Sequence, residues 1–227
     1  MNKVQWLRTN WNQSFSSIVD SIAAHEYRQG GEYGFEITKK RRDRIEGTYY
    51  CRHENTITYT DPFGHEYSNA FINFDSIAFM LSDAPIGMEL SNPPATTKPF
   101  FLLLSEYSSF KSSIARLNIS LLSWIEEVEA LTQSVIVSRL LYASIPLSSH
   151  TSISANIVGD EDVRQYLKKY PKGVAKKARL EFRIGNEVAI ADISNRATAL
   201  IIKGNKAAQD ILKKALNQLT ESKTNVN

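Results

Sequence analysis

The stretch Ile114–Val135, IARLNISLLSWIEEVEALTQSV, decides how the chain is read. Its apolar residues Ile114, Leu117, Leu121, Trp124, Val128, Leu131 and Val135 fall at spacings of 3, 4, 3, 4, 3 and 4. That spacing fills the a and d positions of three unbroken heptads. It predicts one helix from about Phe110 to Tyr142, inside a helical region 100–146 that Pro146 stops. Such a rod is roughly 50 Å long at ~1.5 Å per residue. A small sheet cannot cover it, so it calls for another long helix, from this chain or from a protein partner or second copy through this central helix.

Upstream, Asn92-Pro93-Pro94-Ala95-Thr96-Thr97-Lys98-Pro99 fits neither a helix interior nor a central strand, because its prolines lack a backbone donor. It reads as a linker or a surface crossing. Between Tyr33 and Leu90 the apolar period changes to two. Tyr33, Phe35 and Ile37 alternate with Gly34, Glu36 and Thr38, and Ile45, Gly47, Tyr49 and Cys51 alternate with Glu46, Thr48 and Tyr50. Asp61-Pro62-Phe63-Gly64 fits a type I turn, so Thr56–Thr60 and His65–Phe71 are expected to pair as a hairpin. Phe74, Ile77, Phe79 and Leu81 supply a further strand. Ahead of this meander, Phe15, Ile18, Val19, Ile22 and Ala23 share one face of a helix expected from Trp6 to about Tyr27.

Downstream, Ile153, Ala155 and Ile157 alternate as a strand, and Asp160-Glu161-Asp162 opens a helix whose last turn holds Lys168 and Lys169. Leu180, Phe182 and Ile184 lead through Gly185-Asn186 into Val188 and Ile190, and Ala199, Ile201 and Lys203 make the next strand. Asn205 caps a final helix with Ala208, Ile211, Leu212, Ala215 and Leu219 on its apolar face. The expected fold is therefore α+β. It comprises an N-terminal helix and antiparallel β-meander over 1–91, the long central helix over 100–146, a C-terminal β-α-β-β-β-α unit over 151–220 and a frayed tail over 221–227.

With 227 residues, 42% apolar and 22% charged, the chain has the composition of an ordinary globular protein. Cys51 is its only cysteine, which excludes an internal disulfide framework and favours a reducing compartment. Its most apolar region is broken by charges, and its first residues hold no apolar leader segment, so no membrane contact and a cytoplasmic location are expected.

Catalytic signatures fail one after another. Cys51 and His53 lie on one strand, but His65 lies across the turn, and tetrahedral zinc needs four convergent ligands. His25-Glu26 lacks a second histidine one turn along, where Gln29 stands. Ser148-Ser149-His150 has no glycine elbow, and no glycine-rich phosphate loop occurs. Asp160 or Asp162 followed by Glu181-Phe182-Arg183 resembles the acid and Glu-x-Lys pattern of some restriction-type nucleases. Arg183 stands where that pattern has lysine, and a guanidinium is a fork, not a compact ammonium. No metal and no cofactor is expected.

Charge is distributed unevenly. Segments 39–44 and 164–183 hold thirteen of the 27 basic residues and only two of the 24 acids, although the net charge is +3. The expected polyanion-binding residues are Lys39, Lys40, Arg41, Arg42 and Arg44 in the first segment. In the second they are Lys168, Lys169, Lys172, Lys176, Lys177 and Arg179. The sequence thus points to a non-enzymatic binding or assembly subunit, acting through the heptad helix and two basic patches on nucleic acid or an acidic protein. The alternatives are an electrostatic nucleic-acid binder and a metal-dependent nuclease using Asp162, Glu181 and Arg183.

Overall fold

The computed structural model describes residues 1–169 and 172–224. In chain order its elements are β1 (Asn2–Trp11), α1 (Phe15–Ala24), β2 (Tyr33–Lys40), β3 (Arg44–Thr60), β4 (Glu66–Ser82) and β5 (Met88–Ser91). Then come α2 (Lys98–Tyr107), β6 (Ser112–Arg116), α3 (Leu121–Leu131), β7 (Val135–Pro146) and β8 (Ser152–Val158). A 3-10 helix (Val163–Lys169), β9 (Val174–Ile184), β10 (Glu187–Ser194), β11 (Thr198–Lys203) and α4 (Lys206–Thr224) complete it. Two compact units result: Thr9–Ile114, and Met1–Arg8 together with Ala115–Asn227.

The structure overturns the expected fold class. The chain is mostly antiparallel sheet, with strands over 49% and short helices over 24% of it, and the described residues hold no long central helix. The heptad run is split among three elements. Ile114 lies on β6, Leu117 between β6 and α3, Leu121, Trp124, Val128 and Leu131 on α3, and Val135 on β7. Local chemistry sets the breaks. Ser120 caps α3 by accepting the Ser123 N–H at 3.3 Å. At the other end, the Thr132 hydroxyl donates to the Val128 carbonyl at 2.8 Å, and Thr132 itself is extended (φ −129°, ψ 168°). The β-branched run Val135-Ile136-Val137 then favours a strand.

The N-terminal helix is also shorter than expected. Trp6 to Trp11 belong to β1, and α1 begins only after Ser14, whose side chain accepts the Ser17 N–H. Its core face is the expected one, with Phe15, Ile18, Val19 and Ile22 buried. From Ser152 onward the elements follow the expected order, with a 3-10 turn in place of the first α-helix. α4 extends through Thr224, and residues 225–227 of the expected tail lie outside the described residues.

In the Thr9–Ile114 unit the strands pair antiparallel in the order β2-β3-β4-β5. The Asp61-Pro62-Phe63-Gly64 turn joins two 17-residue strands, in register from Arg44↔Ser82 to Thr60↔Glu66. Gly64 takes a positive φ of 89°, and Asp61 accepts the Phe63 and His65 N–H groups at 2.8 and 2.9 Å. In the other unit the order is β1-β11-β10-β9-β7-β8. Inward-facing Ala178, Leu180 and Phe182 on β9 and Ala189, Ala191 and Ile193 on β10 are buried beside α3 and α4. Trp6 and Trp124 meet edge to face at 5.9 Å in this core, and the Trp124 indole donates to the Leu212 carbonyl at 3.0 Å.

Gly87 is a point of close approach. A Cβ there would lie 1.9 Å from Thr9 Oγ1 and 2.6 Å from the Ser82 carbonyl oxygen. Gly87→Ala should destabilise the protein by about 2–4 kcal/mol, read as a lowered urea midpoint. The tip turn has a pH signature. Hydrogen bonds, first from the His65 backbone, hold the Asp61 carboxyl below its ordinary range. Its caps are therefore intact above the ordinary carboxylate pKa and fail as pH falls through the lowered one. Amide exchange at Phe63 and His65 should accelerate as pH falls below the ordinary carboxylate pKa and through the lowered one, after correction for intrinsic exchange.

Candidate functional site

The first expected basic patch is largely neutralised. Lys40 pairs with Asp20 at 2.7 Å, Arg44 Nε donates to Glu46 at 2.6 Å, and Lys39 lies 4.0 Å from the same Glu46. Arg41 and Arg42 occupy the exposed β2–β3 turn and make no ion pair among the described residues. Only two of the five cations there remain uncompensated.

The second patch divides along β9. Alternation turns Lys177 and Arg179 away from the helix-covered side, and strand register sets their neighbours. One row across the sheet reads Val158, Arg139, Arg179, Asp192, Leu200, Lys3 on β8, β7, β9, β10, β11 and β1. The next row places Asn156, Leu141, Lys177, Ser194 and Thr198 in line. All of these except Val158 line a cup of about 560 Å³ on the uncovered face. Arg139 and Arg179 are direct cross-strand neighbours, an unfavourable placement for like charges. Asp192 relieves one of them, accepting from Arg179 at 2.7 and 2.8 Å. Arg139 is exposed and makes no ion pair among the described residues.

A bulge extends the cationic line. Leu141 pairs with Lys177 and Tyr142 with Ala175, which leaves Lys176 as the extra residue of β9. Lys176 lines a neighbouring cup of about 460 Å³ with Arg116, Asn118, Asn195 and Arg196. The two cups thus hold seven cations (Lys3, Arg116, Arg139, Lys176, Lys177, Arg179, Arg196) and one carboxylate, Asp192. Arg116, Arg139, Lys176, Lys177 and Arg196 have no carboxylate partner among the described residues. Among the described residues no aromatic ring lines either cup.

Of the remaining expected residues, Lys172 is exposed ahead of β9, and the side chains of Lys168 and Lys169 lie outside the described residues. Lys3 and Arg139 escape a reading by charge runs because strand register brings them to one cup, and Arg116 and Arg196 because the fold sets two distant segments beside the other cup. The only local hint was the β-branched run leading to Arg139. The expected interaction helix does not exist as one surface: Leu117, Leu121, Trp124, Val128 and Val135 are buried.

Asp162, Glu181 and Arg183 line neither cup. The Arg164 guanidinium holds Asp162 at 2.7 Å and reaches Glu129 at 2.8 Å. Glu181 lies on β9 opposite Ile136 and Ile190, and Arg183 lies opposite Val188. His53 contacts Asp75 at 3.1 Å and His65 contacts Asp61 at 3.1 Å, at opposite ends of the hairpin's outer half. Among the described residues no three His, Cys, Asp or Glu side chains are placed to hold a metal ion. No described helix is long and apolar enough to cross a membrane.

The Arg164 network carries a prediction. Burial pushes the Asp162 carboxyl up, but hydrogen bonds from Arg164 outweigh it and hold the carboxyl below its ordinary range. The stabilisation is present above the ordinary carboxylate pKa and declines as pH falls through the lowered value. Arg164→Ala should cost about 1–3 kcal/mol at neutral pH and flatten the acid-side decline, measured by urea unfolding across pH. The chain matches no protein-family model, and no curated protein matches it.

Proposed function

We propose that the protein binds nucleic acid through the phosphate backbone, along the cationic cups on the uncovered face of the β1-β11-β10-β9-β7-β8 sheet. The observation that carries this reading is the set of five cations without carboxylate partners, held in the two cups with two further basic residues and a single acid. Phosphate neutralisation releases condensed counterions, so a group of uncompensated cations suits a repeating anion. The absence of aromatic rings from both cups among the described residues favours contact with the backbone over stacking on bases. Binding is then tolerant of sequence. Lys177 and Lys176 carry this reading over from the second sequence patch, whereas the β2–β3 turn contributes at most Arg41 and Arg42.

Titration of a fluorescein-labelled duplex, followed by anisotropy at several salt concentrations, tests the proposal. If the five unpaired cations each meet a phosphate, log K should fall against log salt with a slope of about −4 to −5. The triple variant Arg139→Glu, Lys177→Glu, Arg196→Glu should weaken binding by more than ~100-fold and make the slope shallower by about 3. Arg41→Glu with Arg42→Glu should change affinity only a few-fold. Salt-independent binding, or a triple variant that binds like the parent, would overturn the assignment. Loss of binding in the Arg41/Arg42 variant alone would move the site to the hairpin turn.

A further inference from the structure

The outer half of the β3–β4 hairpin is a two-stranded arm. β2 accompanies β3 only as far as Cys51, and β5 accompanies β4 only over Ala78–Leu81. Between them, nine cross-strand pairs from Arg52↔Phe74 to Thr60↔Glu66 extend without a third strand, roughly 30 Å at ~3.3 Å per residue. A two-stranded ribbon in water is marginal by itself. This one also leaves apolar side chains uncovered on both faces. Ile57 is 55% exposed, Ile72 51%, Tyr67 47% and Phe63 86%.

The free edge of β4 lacks the usual safeguards. Exposed strand edges are normally protected by charges, prolines or bulges. Tyr67–Phe74, YSNAFINF, contains no charge, no proline and no glycine, and its pairing with β3 is regular throughout. Glu66 and Asp75 bracket it. We infer that this edge pairs antiparallel with the same edge of a second copy, about a two-fold axis at Ala70. A two-fold contact brings a segment against itself, and an uncharged segment has nothing to repel. The axis at Ala70 sets Asn69 against Phe71, Ser68 against Ile72 and Tyr67 against Asn73. It also sets Glu66 against Phe74. Ala70 lies in the middle of the uncharged run, and its register sets Glu66 opposite Phe74 and no two carboxylates directly opposite each other. Main-chain hydrogen bonds would then continue each arm into a four-stranded ribbon.

Light scattering on the full chain tests this directly. The parent should scatter with about twice the 25.6 kDa chain mass as concentration rises from the micromolar range. Ala70→Lys, at an exposed arm position remote from the core, sets two like charges opposite one another and should give a monomer with unchanged circular dichroism. In a Cys51→Ser background, Ala70→Cys should form an inter-chain disulfide on oxidation, since residues paired on the axis bring Cα atoms to about 4.5–5.5 Å. Phe63→Cys at the arm tip should not link the chains efficiently. A parent that stays monomeric at its solubility limit would overturn the proposal. So would an Ala70→Lys dimer, or a dimer that links through residue 63 and not residue 70.

Discussion

One-sided cover of a sheet is the constraint on which the rest of the Ala115–Asn227 region depends. Alternation along β9 sends Ala178, Leu180 and Phe182 to the side occupied by α3 and α4, so Lys177 and Arg179 must face the other way. The alanines make the cover close. Ala189 on β10 and Ala208 on α4 crowd Gly204, where an added Cβ would find both within 3.2 Å. A one-residue slip would bury the cations and expose the core, which would cost far more than any local preference could return. The cationic face is thus a consequence of how the apolar face is buried.

The same constraint explains what could be read from the sequence. Turn chemistry is local, so Asp61-Pro62-Phe63-Gly64 announced its hairpin, and the period of two marked β9 and β10. The heptads misled because α3 contributes Leu121, Trp124 and Val128 to a true helical stripe. Ile114, Leu117 and Val135, outside α3 at either end, extend its count by coincidence. Ser120 and Thr132 hold the information that breaks the rod, through side-chain hydrogen bonds that compete with further helix. The candidate site was only half legible. Lys176 and Lys177 stood in a visible basic run. Lys3 and Arg139 join them only through strand register, and Arg116 and Arg196 through the fold that sets two distant segments beside the other cup, which no charge count contains.

Charge density along the chain therefore differs from charge available at the surface. The densest basic run, 39–44, is mostly answered by Asp20 and Glu46, and Arg164 is fixed by two carboxylates. The exposed Lys40–Asp20 pair adds little stability. The larger effect of these pairs is to remove cations from any external ligand. What remains uncompensated is sparse in sequence and contiguous across the strands.

β1 brings the two ends of the described chain into one sheet, with Asn2 donating to Gln209 across 207 residues. Asn2–Gln5 cannot find their β11 partners until Thr198–Ile201 have been made. At ~5–20 residues per second, translation separates the two strands by roughly 10–40 s. Throughout that interval Val4, Trp6 and Leu7, all destined for the core, are held open on the nascent chain. The Thr9–Ile114 segment can mature meanwhile, and the rest must wait for its final third. Chaperone dependence should therefore concentrate at β1.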